Sequence, residues 1–358
     1  MKTLIEICAA HWDKLTPEQI YEAAQAGSVA IVNGSISQPE LDVLLGNKSE
    51  EEPVQEKSPL DNVREIFLAA YDQKDWHRAL VEGEQYVAEL KKASTPAPVQ
   101  IKVLAKMGRA AFTLYDKWRE NAYAGACEKY YGDLVTLAKN VPVLVDNFES
   151  VNLAFDAVTA YSHLAHVAEL QQDYPAVLKA VEEELKVIDS IAKSPHMQSD
   201  IMTERRAYAY KRMGIAKVRM LGIDKNILPL PKSKDSDLLS DVKEAHNAYR
   251  LANQYFCTLR GRAMAGNRNR LNKELIFTLD ELITVEKVIG QLQGKNLQND
   301  AFVGYFQGIA AYAYDLACNN DCADINTRRL RGLLPILIRF GPAKDRTIYR
   351  ATLDNLLC

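Results

Sequence analysis

The stretch that decides the fold covers residues 61–90 and reads DNVREIFLAAYDQKDWHRALVEGEQYVAEL. In its first part, apolar side chains such as Phe67 and Ala70 recur every three or four residues, which is the period of an amphipathic α-helix. Polar residues at 72–75 interrupt this pattern, and a second apolar stripe runs from Trp76 to Leu90. Because the break is so short, we predict two antiparallel helices that form a hairpin.

A second stretch repeats this organisation at residues 160–185, AYSHLAHVAELQQDYPAVLKAVEEEL. Small or apolar residues precede its polar break, and further apolar residues follow at helical spacing; they are Leu164, Ala165, Ala168, Tyr174, Val177 and Val181. Two weaker copies fit the pattern only in their first helix. One contains Met107, Gly108 and Ala111 and is followed by a helix that carries Tyr130 and Tyr131; the other contains Met213 and Gly214, and its second helix is expected at roughly Asp237–Arg260.

These positions resemble the tetratricopeptide repeat (TPR), in which small residues let two antiparallel helices approach and an aromatic residue fills the gap below the turn. In the first stretch the resemblance is carried by Phe67, Ala70, Trp76 and Ala79. The copies are spaced irregularly, whereas a regular TPR array repeats about every 34 residues. The sequence is therefore similar to a divergent array with long helices and enlarged loops.

The predicted fold class is all-α, with stacked antiparallel helical hairpins in a TPR-like right-handed solenoid and extra terminal helices. We predict three parts: a small helical N-terminal domain or cap at 1–46, a flexible linker at 47–59, and the helical array with its C-terminal capping helices at 60–358. The linker NKSEEEPVQEKSP is polar, contains two prolines and has almost nothing to bury.

Composition limits where the protein can act. Six cysteines are scattered over 358 residues without a secretory signal pattern, so a disulfide framework is not expected. No apolar run approaches the ~20 residues that a membrane helix needs. We therefore expect a cytoplasmic protein without membrane insertion. The sequence does not determine its oligomeric state.

Motifs that carry chemistry are absent. The sequence contains no Walker A or GxGxxG phosphate loop, no GxSxG nucleophile elbow and no HExxH zinc pair. His163 and His166 lie three residues apart and could face one metal ion, but few further ligands lie near them, so we favour surface or groove histidines. Cys318 and Cys322 have no second cysteine pair to complete a zinc site. We predict no catalytic residues, no metal and no cofactor.

The resemblance to TPR arrays implies a concave groove that is lined by the first helix of each hairpin. Placing the sequence on that register gives nine groove candidates: Arg64, Leu68, Tyr71, Lys102, Arg109, Phe112, Ser162, His166 and Glu169. Such a groove suits an extended peptide or a partner helix. The leading hypothesis is therefore a protein-interaction adaptor or scaffold with a protein or peptide partner.

Charge suggests an alternative partner. Residues 1–200 carry 31 acidic and 19 basic side chains, whereas residues 201–358 carry 16 acidic and 25 basic ones. Two groups of arginines lie in the basic half, namely Arg260, Arg262, Arg268 and Arg270, and then Arg328, Arg329 and Arg331. Arginine suits phosphate contacts, so a nucleic-acid-associated accessory protein is the second hypothesis. An all-α enzyme with an unfamiliar site is the third.

Overall fold

The computed structural model describes residues 58–223, 236–295, 301–318, 323–341 and 343–357. These residues form twelve α-helices, one short 3₁₀ helix and no β-strand. The α-helices are α1 (Pro59–Asp72), α2 (Trp76–Lys92), α3 (Ala97–Trp118), α4 (Asn121–Ala138), α5 (Phe148–Leu170), α6 (Tyr174–Ile191), α7 (Ser199–Met220), α8 (Ser236–Arg262), α9 (Ala265–Leu292), α10 (Ala301–Cys318), α11 (Ala323–Phe340) and α12 (Arg346–Leu357). The 3₁₀ helix, Ala343–Asp345, precedes α12.

Contacts divide the chain into two compact units, residues 1–62 and 63–358. The predicted N-terminal domain at 1–46 and nearly all of the predicted linker at 47–59 lie outside the described residues. Within the part that the structure describes, α1 begins at Pro59, the last residue assigned to that linker.

The helices stack in chain order. From α2 onward, each helix packs against the next one along the chain. The α1/α2 pair is joined by the rings of Phe67 and Tyr86, whose centroids are 5.8 Å apart. In addition, α3 contacts α5 and α5 contacts α7, so the first helices of successive hairpins are neighbours. The predicted all-α stack of helical hairpins is therefore confirmed.

Glycine sets how closely the paired helices approach. A Cβ atom added at Gly108 of α3 would lie 2.4 Å from the ring of Tyr131 on α4. The same addition at Gly214 of α7 would lie 2.8 Å from the ring of Tyr249 on α8. In the sequence, these two copies fit the repeat pattern only in their first helix, although a second helix was expected in each. The structure shows that α4 and α8 complete them, each with a tyrosine against the glycine.

Two of the turns between paired helices share the same backbone conformation and N-cap. Both the α1–α2 turn and the α5–α6 turn hold their middle residue, Lys74 and Gln172, in the left-handed region. In each turn the next residue is an aspartate, Asp75 or Asp173, whose carboxylate accepts a hydrogen bond from the backbone of the following helix. These N-caps explain why the second helices start where the sequence pattern resumes.

Several buried positions on the first helices are occupied by small side chains. Helix α5 buries Ala157, Ala160 and Ala165, each at most 3% exposed. Small residues on this helix leave room for neighbours on several sides, which is why α5 can contact α3, α4, α6 and α7. None of the described helices combines the length and the apolar character that a membrane span requires.

Candidate functional site

A cleft of about 680 Å³ runs along the first helices of the first four hairpins. Its walls come from one side chain of α1, six of α3, one of α4, four of α5 and one of α7. The lining residues are Tyr71, Lys102, Ala105, Lys106, Arg109, Phe112, Thr113, Tyr131, Phe155, Asp156, Thr159, His163 and Arg205. We call this surface the basic cleft.

Four cations and one carboxyl group define its charge. The cations are Lys102, Lys106, Arg109 and Arg205, and the carboxyl group belongs to Asp156. Burial raises the pKa of Asp156 to about 6, although the nearby ammonium groups of Lys102 and Lys106 oppose the rise. The basic cleft therefore carries an excess of positive charge at neutral pH.

The cations differ in how they are paired. Lys102 lies 2.6 Å from the carboxylate of Glu149, and both side chains are exposed. Lys106 stands over the ring of Tyr71, 4.3 Å from its centroid. Among the described residues, no carboxylate lies within salt-bridge distance of Arg109. This guanidinium group is therefore available to a ligand.

Arg205 reaches the basic cleft from α7 and bonds to hydroxyl groups on α5. Its guanidinium group donates to the hydroxyl oxygen of Thr159 at 3.4 Å and to that of Ser162 at 3.5 Å. It also stands over the ring of Phe155, 5.4 Å from the centroid. These long contacts hold the guanidinium in place while leaving its donors only weakly satisfied.

The floor of the basic cleft is a packed group of rings around His163. Its imidazole stacks on Phe112 with centroids 4.0 Å apart and planes within 5°. Nδ1 of His163 shares a hydrogen bond with the Tyr131 hydroxyl at 2.6 Å. Burial, together with the nearby charges of Arg205 and Arg212, lowers the pKa of His163 to about 3. His163 is therefore a neutral part of a rigid floor at physiological pH.

A polar network lies behind this floor, between α5, α6 and α7. Arg212 donates to the hydroxyl of Ser162 at 2.7 Å and lies 3.8 Å from the carboxylate of Glu169. Nδ1 of His166 is 3.9 Å from the same carboxylate. The carboxyl group of Glu184 is fully buried beside this network. Burial raises its pKa to about 7, although Arg212 and Arg205 oppose the rise.

The nine groove candidates divide between these places. Tyr71, Lys102, Arg109 and Phe112 line the basic cleft. Ser162, His166 and Glu169 belong to the network behind it, and Ser162 is only 4% exposed. Arg64 and Leu68 are on α1 outside the cleft lining.

Among the other lining residues, sequence reasoning considered His163 only as one of two surface or groove histidines, and it missed Lys106, Asp156, Thr159 and Arg205. Lys102, Lys106 and Arg109 are spaced by four and three residues, so a basic stripe on α3 was available as a signal. No comparable signal marks Arg205, because its position depends on how α7 packs against α5.

The C-terminal arginines are spread over several helices and bond within the chain. Arg262 and Arg270 of α8 and α9 pair with Asp200 and Glu204 of α7, and Arg329 pairs with Asp280. Others bond to an amide or to backbone carbonyl groups; they are Arg260 with Asn272, Arg268 with Ala263 and Arg331 with Leu356. Arg328 is exposed on α11.

Metal ligands do not gather in the described part of the chain. No three His, Cys, Asp or Glu side chains there are close enough together to hold a metal ion. Cys318 is the last residue of α10, while Cys322 lies outside the described residues.

Comparison with known proteins adds little to this description. No protein-family model and no curated protein matches the chain. One similar solved structure is described as "Circular tandem repeat protein with novel repeat topology and enhanced subunit contact surfaces", with 12% sequence identity. Its TM-score is 0.29 over 99% of this chain and 81% of that chain, a value too low to support an inference about fold or function. The fold assignment rests on the helix packing described above.

Proposed function

We propose that this chain is a protein-interaction module, an adaptor or scaffold, whose TPR-like hairpins hold a peptide or a partner helix in the basic cleft. The observation that carries the proposal is the make-up of the cleft. Its lining comes almost entirely from first helices, the surface that hairpin arrays use to hold extended ligands.

The chemistry of the cleft supports a segment of protein as the ligand. Aromatic rings at Tyr71, Phe112 and Phe155 offer apolar contacts, while the cations offer donors for backbone carbonyl groups and acidic side chains. Most of these side chains sit on helices rather than loops. A rigid surface of this kind loses little entropy when a ligand binds.

The nucleic-acid hypothesis loses its main support. A nucleic-acid surface needs arginines that can reach successive phosphates. Here Arg262, Arg270 and Arg329 already neutralise carboxylates of the same chain. We therefore rank this function below a protein-interaction role.

The enzyme hypothesis retains one observation in its favour. A carboxyl group with a pKa of about 6, that of Asp156, lies in a cleft among cations, as a general base would. His163 does not complete such a site, because its Nδ1 is bonded to Tyr131 and its imidazole is neutral. We therefore keep catalysis as the second candidate, with Asp156 as the residue to test.

Selection from a displayed library of random peptides tests the proposal. The purified protein should enrich related sequences, and the best peptide should bind about tenfold or more weakly to Arg109→Glu, because a charge is reversed inside the binding surface. The matched control is Arg78→Glu on α2, which changes the same charge outside the cleft and should bind as the unaltered protein does. Equal binding of the best peptide by both variants would rule out the cleft as the peptide site.

A further inference from the structure

Two contacts fix how α3 lies along α5. Near the start of the helices, the ammonium group of Lys102 pairs with Glu149 at 2.6 Å, and nearer their ends Phe112 stacks on His163. Arg109 comes one turn before Phe112, and Thr159 comes one turn before His163. Arg109 and Thr159 therefore lie at the same level of the basic cleft.

The side chain of Arg205 reaches Thr159 from α7. Its guanidinium group donates to the Thr159 hydroxyl from α7, while Arg109 belongs to α3. Arg109, Thr159 and Arg205 all line the basic cleft, so two guanidinium groups from different helices share this cavity with one hydroxyl group of α5. A pair of forked donors around a hydroxyl suits an oxyanion with several acceptor oxygens.

The net positive charge of the cleft also favours an oxyanion as the ligand. Glu149 pairs with Lys102, so three cations, Lys106, Arg109 and Arg205, remain against the single carboxyl group of Asp156. Two other carboxyl groups lie near Arg205: Glu184 is fully buried behind the floor, and Glu204 pairs with Arg270. The surplus is close to two positive charges, and a phosphate monoester carries between about one and a half and two negative charges at pH 7.

We propose that the basic cleft binds a phosphorylated serine or threonine of a partner segment, with its phosphate between the guanidinium groups of Arg109 and Arg205 above Thr159. This inference rests on the proposed function and names its ligand class. A carboxylate has one charge and two oxygens, so it would leave part of the surplus unmatched.

The aromatic side chains argue against single-stranded nucleic acid in this place. Nucleic-acid grooves of that kind offer open ring faces on which bases stack. In the basic cleft, His163 covers one face of Phe112, and the cations of Lys106 and Arg205 stand over Tyr71 and Phe155. Each of these rings therefore already has another side chain over one face.

The test uses three pools of one degenerate peptide library on the full-length protein. The central residue is phosphoserine or phosphothreonine in the first pool, serine or threonine in the second and glutamate in the third. We expect the first pool to be retained about tenfold more strongly than either of the others. For the best phosphopeptide, fluorescence polarisation should give a Kd that is about tenfold weaker with Arg109→Gln or Arg205→Gln.

Two further variants sharpen the result. Asp156→Asn should tighten phosphopeptide binding several-fold, because it removes the like charge from the cleft. Arg206→Gln, next to Arg205 on α7 but paired with Asp189, should change nothing. If Arg205→Gln disturbs folding in circular dichroism, Arg109→Gln decides the outcome because that side chain is exposed.

The other outcomes overturn the proposal in distinguishable ways. Equal retention of the glutamate and phosphate pools would make the cleft a general acidic-peptide site. Retention of the serine and threonine pool alone would leave the proposed function standing without a phosphate. If no peptide pool binds but a labelled single-stranded oligonucleotide does, both the inference and the proposed function fail.

Discussion

At the scale of single residues, the most unusual side chain is Glu184. It is a carboxyl group on α6 with no exposed surface, and neither of its oxygens has a hydrogen-bond partner among the described residues. Burial of this kind disfavours the ionised form, which is why the pKa of Glu184 rises to about 7. The cost of ionising it should appear in the stability of the fold.

Glu184→Gln should therefore stabilise the protein at high pH. The folded-state pKa lies above the ordinary value of 4.5, so the folded state binds the proton more tightly than the unfolded state. The penalty is absent below pH 4.5, grows between pH 4.5 and about 7, and reaches its full size above that range. A shift of this size corresponds to about 3 kcal/mol, since one pKa unit is about 1.4 kcal/mol.

Urea denaturation at pH 5 and pH 8 measures this effect. The gain from Glu184→Gln should be several times larger at pH 8 than at pH 5. The neighbouring Glu183→Gln is the control, because Glu183 is on the same helix but pairs with Lys186 at 2.6 Å. The control should bring no gain at pH 8. A Glu184→Gln variant that is less stable than the unaltered protein at pH 8 would contradict the account.

At the scale of helices, the sequence predicted where the elements lie better than which way they face. The polar breaks at 72–75 and 171–173 correctly marked two hairpin turns, because aspartate caps and apolar stripes are local signals. Which side chains of α5 face the cleft was harder to predict from the sequence. Ser162 was assigned to the groove, but Thr159 and His163 line it, because Arg212 of α7 draws Ser162 into the interior.

The close approach of paired helices makes a prediction at this scale. Gly108→Ala should destabilise the protein by about 1–3 kcal/mol, since the new methyl group would overlap the ring of Tyr131, which is itself buried. Gly132→Ala on α4 is the matched control, because nothing lies within 4 Å of its added Cβ atom.

The control should be neutral or stabilising by up to about 1 kcal/mol, because alanine favours a helix more than glycine does. Thermal and urea denaturation compare the two variants directly. Equal stability changes at both positions would show that helix propensity, and not the close approach of α3 and α4, determines the effect of Gly108→Ala.

At the scale of the whole molecule, hairpin stacking creates a surface that no single hairpin contains. The basic cleft combines Tyr71 of α1, Arg109 of α3, Thr159 of α5 and Arg205 of α7. These residues are far apart in sequence, and the spacing between copies is irregular. Sequence patterns could therefore predict a groove and four of its residues, but they could not predict Arg205.

The central claim is that the basic cleft is the ligand site, and photo-crosslinking tests it most directly. A library-selected peptide that carries a photoreactive phenylalanine analogue would be bound, irradiated and mapped by mass spectrometry after proteolysis. We expect crosslinks in α3 and α5, between residues 102–113 and 155–163, and their loss with Arg109→Glu. Crosslinks confined to the second helices α2, α4 and α6, or to residues 260–270, would contradict the claim.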